Sequence, residues 1–364
     1  MLKVSLQVLD MITSKGFSAY LVGGYVRDSL LGIKSNDVDI CTNATPRELV
    51  EIFNCAKIPR EDYGAVTVTY KNIRFEITTF RKEIQYINNR KPGEVYYIDS
   101  LEEDLLRRDF TINTICMDKD ENIIDLLQGQ RDLEEKVIRV VGDCDQKFSD
   151  DALRILRAVR FATKLNFRLD DTVISSIKRN KKYLKNISYE RKREELDKIF
   201  TSNNNKIGIK LLIDLDLCDD LEILDVNQVT YTDSLMGIWA IIDKGVYPFT
   251  NNEKSQLMRI RKVLEMDNFD SFTLYSYGLY ANSVAAGIKG QSQADVTSCY
   301  NKLPIHVRGD ICVRGDDIAS SLNREEGAYL NTIYEDLEMR ILSGELVNDK
   351  DTLLRYCIDN YKEI

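Results

Sequence analysis

Histidine is almost absent from this sequence, because its 364 residues include only His306. Catalytic Ser-His-Asp triads, Cys-His nucleophiles, HExxH zinc sites and His-Asp phosphohydrolase clusters all need imidazole, and most need more than one. We therefore expect any chemistry of this protein to use carboxylates, arginines and metal ions. His306 itself is expected to be an ordinary residue of the C-terminal region.

Paired cysteines and long apolar runs are missing as well. The eight cysteines are scattered and form no CxxC motif, so the sequence predicts neither a zinc site nor a disulfide framework. No stretch approaches the ~18 uninterrupted apolar residues of a membrane span, and the N-terminal segment lacks the charged and apolar blocks of a signal peptide. We expect a cytoplasmic protein that does not associate with membranes.

One segment reverses the charge of the chain. The formal net charge is −9, which argues against nucleic-acid binding, yet residues 145–193 contain 14 Lys and Arg against six acidic residues. This basic segment carries a net charge of +8, so the rest of the chain carries −17. Such a distribution is expected when one face of a protein meets a phosphate backbone. The charges alone are equally compatible with a solvated helix face.

The first 140 residues mix helix and strand patterns. Apolar periodicity and turn residues predict two helices, a tight turn at Gly23-Gly24 and four strands. The predicted helices are Leu2–Thr13 and Tyr25–Leu31, and the predicted strands are Ala19–Val22, Asp37–Cys41, Ala65–Tyr70 and Ile73–Phe80. This part should form a small mixed sheet with helices on it.

From about Ser149 onward the pattern is almost wholly helical. Ser149, Asp150 and Asp151 are expected to supply the N-cap and acidic first turn of a helix that contains Leu153. Further helices are predicted over 171–185, 188–200, 204–215, 234–243, 253–265, 292–301 and 325–343. The expected fold class is therefore α+β, an α/β head that carries a long helical body.

Two neighbouring motifs indicate nucleotide chemistry. In a strand, Asp37 and Asp39 point to the same side, and two converging carboxylates fit a divalent cation such as Mg²⁺ that also binds substrate phosphates. The Gly23-Gly24 turn allows backbone N–H groups to approach a triphosphate at the start of a helix. A DxD pair alone is weak evidence, but GGxxRD followed by DxD is a strong signal.

These motifs resemble a known family. Gly23–Asp28 with Asp37–Asp39 is similar to the nucleotidyltransferase head of the DNA polymerase β superfamily, in its tRNA nucleotidyltransferase and poly(A) polymerase branch of bacterial (class II) type. Further segments match motifs of this branch in order: Arg107–Asn113, Asp150–Arg154, Leu156–Ala162, Ile187–Glu195, Gly315–Ile318 and Ile341–Asn348. The resemblance covers nearly the whole chain. It implies a catalytic head at 1–140, a nucleotide-recognising neck at 141–200, a helical body at 201–270 and a tRNA-binding tail at 271–364.

The resemblance implies template-independent addition of C, C and A to the 3′ end of tRNA from CTP and ATP, with release of pyrophosphate. Asp37 and Asp39 would be the catalytic residues and would hold two Mg²⁺ ions. The implied nucleotide-binding set comprises Gly24, Arg27, Arg108, Asp151, Arg154, Arg157 and Arg160. We interpret Arg107 as a structural or RNA-contacting residue.

Base chemistry supports a recognition role for Asp151 and Arg154. Cytosine and adenine both present an amino donor beside a ring-nitrogen acceptor, whereas uracil and guanine present carbonyls beside N–H donors. Carboxylate only accepts and guanidinium only donates, and residues three apart on a helix are neighbours. The pair can therefore select C and A. Asp150 stands where the family commonly has Glu, and we expect it to cap a helix.

Two further expectations concern charged side chains. Arg157 and Arg160 continue the three-residue spacing from Arg154, so the three arginines form a stripe along one helix. Their mutual repulsion is unfavourable unless an anion offsets it, and a triphosphate or the tRNA backbone would do so. Glu76 could be a third acid near the metals, but we favour an exposed glutamate at a strand edge.

Alternatives remain within and outside the family. Poly(A) polymerases of this type tend to have an extended basic C-terminal region, whereas Asp349–Ile364 is acidic, and Phe80–Ser100 resembles a flexible loop that CC-only enzymes lack. Enzymes that add only A are harder to exclude. Loss of one of the two aspartates, Asp37 or Asp39, would favour a non-catalytic RNA-binding protein. A missing helical tail would favour an enzyme that transfers nucleotides to a small molecule. The oligomeric state, including a homo-oligomer, stays open.

Overall fold

The computed structural model describes residues 1–35, 37–54, 64–87, 91–224, 226 and 232–362. The chain forms two compact units, Met1–Ile223 and Leu224–Ile364. Among the described residues, no helix combines the length and the apolar character that crossing a membrane requires. The α+β class expected from the sequence is confirmed, since a mixed sheet precedes an almost wholly helical remainder.

The N-terminal part of the first unit contains a mixed sheet and several helices. The helices and strands of this part are α1 (Leu2–Thr13), β1 (Ala19–Val22), α2 (Gly24–Leu30), β2 (Val38–Thr42), α3 (Pro46–Phe53), β3 (Ala65–Tyr70), β4 (Ile73–Thr79), β5 (Arg81–Ile87), β6 (Lys91–Tyr97), α4 (Leu101–Leu106), β7 (Cys116–Met117), β8 (Ile123–Ile124), α5 (Gly129–Glu134) and β9 (Val137–Ile138). In the described residues the sheet has six strands in the order β3-β4-β2-β1-β7-β8. Strand β2 runs antiparallel to β1 and parallel to β4. Because β2 lies between β1 and β4, both neighbouring strands fix the orientation of Asp39, its acidic residue.

Helices dominate the rest of the first unit. They comprise α6 (Cys144–Asp150), α7 (Leu153–Leu165), α8 (Asp171–Asn180), α9 (Tyr189–Phe200), α10 (Asn205–Asp214) and α11 (Cys218–Leu221), with a 3₁₀ helix at Lys181–Asn186. The short strand β10 (Arg168–Leu169) pairs in parallel with β9. Through this pairing, the segment that follows α7 forms backbone hydrogen bonds with the N-terminal part of the same unit.

The structure corrects the expected helix start near Ser149. Ser149 and Asp150 are the last residues of α6, and Asp150 accepts a hydrogen bond from the Gln146 side chain instead of capping a helix. Asp151 follows in an extended conformation, and the N-cap of α7 is Ala152. Asp151 and Ala152 therefore lie between two helices, and a periodic apolar pattern alone does not reveal this break.

The segment Phe80–Ser100 is also more regular than expected. It contains the antiparallel pair β5 and β6, a two-stranded sheet distinct from the large one. Residues 88–90 of this segment lie outside the described residues. The apolar pattern missed these strands because a pair outside the main sheet need not alternate buried and exposed positions.

The second unit is helical in the described residues. Its helices are α12 (Leu235–Ile242), α13 (Asn251–Glu265), α14 (Ser271–Ile288), α15 (Gln293–Asn301), α16 (Gly315–Ser321), α17 (Tyr329–Ser343) and α18 (Lys350–Tyr361). Buried aliphatic residues from α14 to α18 form one core. Helix α14 is broken at Gly278, whose φ of +76° is accessible mainly to glycine.

Candidate active site

The first unit contains a cavity of about 580 Å³ that collects the predicted functional residues. All nine of them line it: Gly24, Arg27, Asp37, Asp39, Arg108, Asp151, Arg154, Arg157 and Arg160. Nine basic and five acidic side chains line the cavity in total. This excess of positive charge suits the cavity to a polyanionic ligand.

The carboxylate pair lies at the beginning of β2. Asp39 stands beside Glu76 in the parallel register between β2 and β4, and Asp37 directly precedes the strand. Burial is the main cause that raises the pKa of Asp39 to about 6, the charges of Glu76 and Asp37 act in the same direction, and Arg108 opposes them. A cation close to a carboxylate that lies among other carboxylates favours its ionised form.

This arrangement fits a divalent cation. Mg²⁺ is typically held by one or two carboxylates, and water and substrate phosphates complete its shell. In the part of the chain that the structure describes, no three His, Cys or acidic side chains come together as a group that could hold a metal ion. Asp37 and Asp39 would hold an ion as a pair, and a bound ligand would complete its shell.

Gly23 allows the backbone to approach the carboxylates closely. Its φ is +74°, and a Cβ atom built there would lie 3.2 Å from Oδ2 of Asp39. Gly23 is also the N-cap of α2, which begins at Gly24. The tight turn expected from the two glycines is present, and it brings the first turn of α2 next to Asp39.

Glu76 lies closer to the site than the sequence suggested. It is exposed, as expected, but β4 is flanked by β3 and β2 and is therefore not an edge strand. Its charge contributes to the raised pKa of Asp39. The parallel pairing of β2 with β4 causes this proximity, which the sequence does not contain.

Arg27 is held firmly although it lines the cavity. Its side chain is 2% exposed, and it donates to Oδ1 of Asp28 from Nε at 2.8 Å and to Oδ1 of Asn113 from Nη1 at 2.6 Å. Nζ of Lys164 lies 3.1 Å from the second carboxylate oxygen of Asp28. Asp28 thus connects a cation of α2 with a cation of α7.

Protein carboxylates already compensate two arginines of the stripe on α7. Arg157 forms an ion pair with Asp109, which lowers the pKa of that carboxyl against the effect of burial. Nε of Arg160 donates to Oε2 of Glu195 at 2.5 Å. The stripe is thus offset in part by anions of the protein itself, which α9 and the segment after α4 supply, and its role towards an anionic ligand stays a prediction.

A fully buried carboxylate anchors Arg108. Asp104 accepts from Nη2 of Arg108 at 3.1 Å and from Nε of Arg107 at 2.9 Å. Its Oδ1 also accepts from the backbone N–H of Arg81 at 3.2 Å. The structural interpretation of Arg107 agrees with this pairing, although Arg107 lines the cavity too.

Asp151 and Arg154 face the same cavity, but they are not neighbours on one helix. Asp151 precedes α7, and its Oδ1 accepts from the backbone N–H of Leu153 at 3.2 Å. Its Oδ2 lies 3.5 Å from Nη2 of Arg191, and burial raises the pKa of Asp151 while Arg191 opposes that shift. Arg154 belongs to the first turn of α7 and donates to the carbonyl of Lys147 at 3.0 Å.

Several lining residues were not predicted as site residues from the sequence, among them Phe161, Lys164 and Arg191. Lys164 lies two helical turns after Arg157, so the spacing of the stripe could have revealed it. Arg191 belongs to the motif at Ile187–Glu195, and its buried Nη1 has no hydrogen-bond partner among the described residues. Phe161 gave no signal, because an aromatic residue on a helix usually indicates core packing.

The mixed sheet carries a carboxylate pair beside a cationic cavity, and the helices that follow complete the cavity wall. This combination is that of a nucleotidyltransferase. Three family descriptions match the chain. The poly(A) polymerase head domain matches residues 19–139, the probable RNA and SrmB-binding site of polymerase A matches 166–224, and the putative domain 2 of tRNA nucleotidyltransferase matches 248–357.

The similarity to known relatives covers nearly the whole chain. The CCA-adding enzyme of Ligilactobacillus salivarius is 34% identical over 100% of this chain and 96% of its own length, and that of Staphylococcus haemolyticus is 33% identical over 98% and 97%. The crystal structure of the Bacillus stearothermophilus CCA-adding enzyme in complex with CTP is 27% identical, with a TM-score of 0.85 over 99% of this chain and 98% of that one. The chain belongs to the family of CCA-adding enzymes. Enzymes of this nucleotidyltransferase family typically use a divalent metal ion.

Proposed function

We propose that this protein adds C, C and A to the 3′ end of tRNA, with CTP and ATP as substrates and pyrophosphate as the product. The cavity carries this proposal, because it brings the carboxylate pair, the arginines and the base-reading candidates into one space. The relatives support it through their name and, in one crystal structure, through bound CTP. A cytoplasmic location stays a prediction from the sequence.

The residues divide the work of nucleotidyl transfer. Asp37 and Asp39 would hold Mg²⁺, which supplies Lewis-acid stabilisation of the charge that develops on the reacting oxygens. Arg27, Arg157 and Arg160, with Arg108 and Gly24, bind the triphosphate through charge-assisted hydrogen bonds. Holding the phosphates fixes the α-phosphorus where the tRNA 3′-hydroxyl attacks it, and pyrophosphate leaves.

Asp151 and Arg154 take the place of a template. The carboxylate of Asp151 accepts from the amino group of cytosine or adenine, and Arg154 donates to the adjacent ring nitrogen. The guanidinium of Arg191 opposes the effect of burial, which on balance still raises the pKa of Asp151. In its ionised form the carboxylate only accepts hydrogen bonds, and the pair then rejects uracil and guanine.

The same proposal assigns roles to the parts of the chain. The head at 1–140 supplies catalysis, the neck at 141–200 reads the nucleotide, the helical body at 201–270 follows it, and the tail at 271–364 binds tRNA. The basic segment supports RNA binding near the neck, because Lys178, Lys182 and Lys185 are exposed on it. Lys181 differs, since its Nζ bonds the carbonyl of Asp216 at 2.7 Å.

A primer-extension assay tests the proposed function. Purified protein is incubated with tRNA that lacks its 3′ end and with CTP, ATP or both, and the products are resolved by length. We expect two added residues with CTP alone and three with both nucleotides. Addition of A to tRNA ending in CC, together with no addition of C to tRNA that lacks CCA, would identify an A-adding enzyme. Long A tracts would identify a poly(A) polymerase, and no extension of either tRNA would refute nucleotidyl transfer to tRNA.

Salt dependence tests RNA binding by the basic segment. Replacing Lys178 and Lys182 with alanine should flatten the log–log dependence of tRNA affinity on salt by about two units, because each lysine releases about one counterion. Affinity is measured by filter binding at several salt concentrations. Alanine at Lys3 and Lys15, which are also exposed, serves as the control. If both pairs leave the slope unchanged, tRNA does not bind at the basic segment.

A further inference from the structure

Three arginines of the cavity surround a single aromatic ring. The guanidinium carbon lies 4.1 Å from the ring centroid of Phe161 for Arg160, 5.1 Å for Arg27 and 5.4 Å for Arg157. These distances are within the ~6 Å range in which a cation is attracted to the negative face of an aromatic ring. Phe161 lines the same cavity.

The ring itself is held rigidly. Phe161 is 6% exposed in the middle of α7, and Phe110 packs edge-on against it with ring centroids 5.5 Å apart. Phe110 is fully buried. The edge-to-face contact fixes the plane of the Phe161 ring, and the ring therefore offers the guanidiniums a surface of defined orientation.

Each of these arginines is consequently held from two directions. Carboxylates or an amide bind an edge of the guanidinium, namely Asp28 and Asn113 for Arg27, Asp109 for Arg157 and Glu195 for Arg160. The guanidinium carbon of each also lies over the Phe161 ring. A planar group held at one edge can still rotate about that edge, and a second contact with the ring limits this rotation.

Like charges add to the value of such support, because the cavity has nine basic against five acidic lining side chains even after the ion pairs are counted. Three guanidiniums around one ring repel one another, and where they are partly buried this repulsion is screened less than in water. Partly buried cation–π contacts are stronger than exposed ones. The ring therefore offsets part of the repulsion while the cavity holds no phosphate.

We propose that Phe161 is a positioning residue for triphosphate binding, which keeps Arg27, Arg157 and Arg160 oriented for the phosphates before a nucleotide arrives. This inference rests on the proposed function, because it assumes that the cavity takes a nucleoside triphosphate. It places the aromatic ring in the binding of phosphates and not in the reading of the base. CTP and ATP should therefore depend on it equally.

Replacing Phe161 with leucine removes the ring and keeps an apolar side chain. We expect KM for both CTP and ATP to rise about tenfold, with a smaller change in kcat and an unchanged preference for CTP over UTP. Phe161→Tyr keeps the aromatic face and should restore KM to near the original value. Phe167→Leu is the matched control, because Phe167 is also 6% exposed but does not line the cavity.

Fluorinated phenylalanines separate the electrostatic contribution from packing. Mono-, di- and trifluorinated analogues at position 161 weaken the negative ring face stepwise with little change in size, so KM and the CTP dissociation constant should rise with each fluorine. Thermal unfolding is measured for every variant. A flat series, or a Phe161→Leu effect no larger than that of Phe167→Leu, would overturn the inference.

Direct titration with CTP keeps the two proposals distinguishable. Calorimetry measures triphosphate binding without turnover, so it reports on Phe161 even if the protein adds nothing to tRNA. Weakened CTP binding through the fluorinated series supports the positioning role whatever the assay with tRNA shows. Normal extension of tRNA combined with unchanged CTP binding in the series refutes the role of Phe161 and leaves the proposed function intact.

Discussion

Alanine at Asp37 or Asp39 is expected to abolish the incorporation of both CMP and AMP. The carboxylates serve the transfer chemistry that both nucleotides share, and loss of several kcal/mol of transition-state stabilisation lowers kcat by roughly 10³-fold or more. The measurement is single-turnover extension of tRNA with each nucleotide in turn. An equal loss for CTP and ATP is the pattern that separates chemistry from base selection.

The control for this experiment is Asp120→Ala. Asp120 is an exposed aspartate in the same unit and does not line the cavity, so its loss should leave extension unchanged. Binding of CTP by the Asp39→Ala variant, followed without tRNA, shows whether the fold of the site persists. Near-normal extension by either the Asp37 or the Asp39 variant would remove these carboxylates from the mechanism.

Alanine at Asp151 or Arg154 is expected to relax the choice of base. Each side chain makes one directional hydrogen bond, and a buried unpaired donor or acceptor costs about 1–3 kcal/mol, so the pair should give roughly 10²–10⁴-fold discrimination against UTP and GTP. Each alanine variant should lose a large part of this ratio. The measurement is kcat/KM for all four nucleotides on tRNA that ends before the first C.

Asp150→Ala is the matched control for Asp151→Ala. Asp150 is the preceding acidic residue, and its carboxylate contacts Gln146 within α6 instead of lining the cavity. Its variant should keep the original ratio of CTP to UTP. If the Asp151 and Arg154 variants lose activity with CTP but keep that ratio, the two residues are structural and other groups read the base.

Local patterns were sufficient to predict the carboxylate pair. The alternation around Asp39 indicates a strand, and β2 has nearly the predicted bounds. The glycine turn before α2 was also predictable, because few residues other than glycine adopt the φ of Gly23. These features depend on residues close together in the sequence, where spacing translates directly into geometry.

Partners distant in the sequence were not predictable. The carboxylates that offset Arg157 and Arg160 belong to Asp109 and Glu195, which lie 48 and 35 residues away. The proximity of Glu76 to the site depends on the pairing of β2 with β4, and strand order is a property of the whole sheet. A single sequence shows which charges exist, but only the fold shows which charges meet.

The long-range bonds around Arg27 have a consequence for the order of folding. Arg27 bonds Asn113, 86 residues away, and Asp28 meets Lys164, 136 residues away. Contacts of such separation form late, because large loops must close before the contacts yield any stabilisation. During synthesis from the N-terminus, a nascent chain that ends before Lys164 cannot complete this cluster. The chain length at which a ribosome-bound nascent chain first binds a triphosphate would therefore show when the first unit completes its folding.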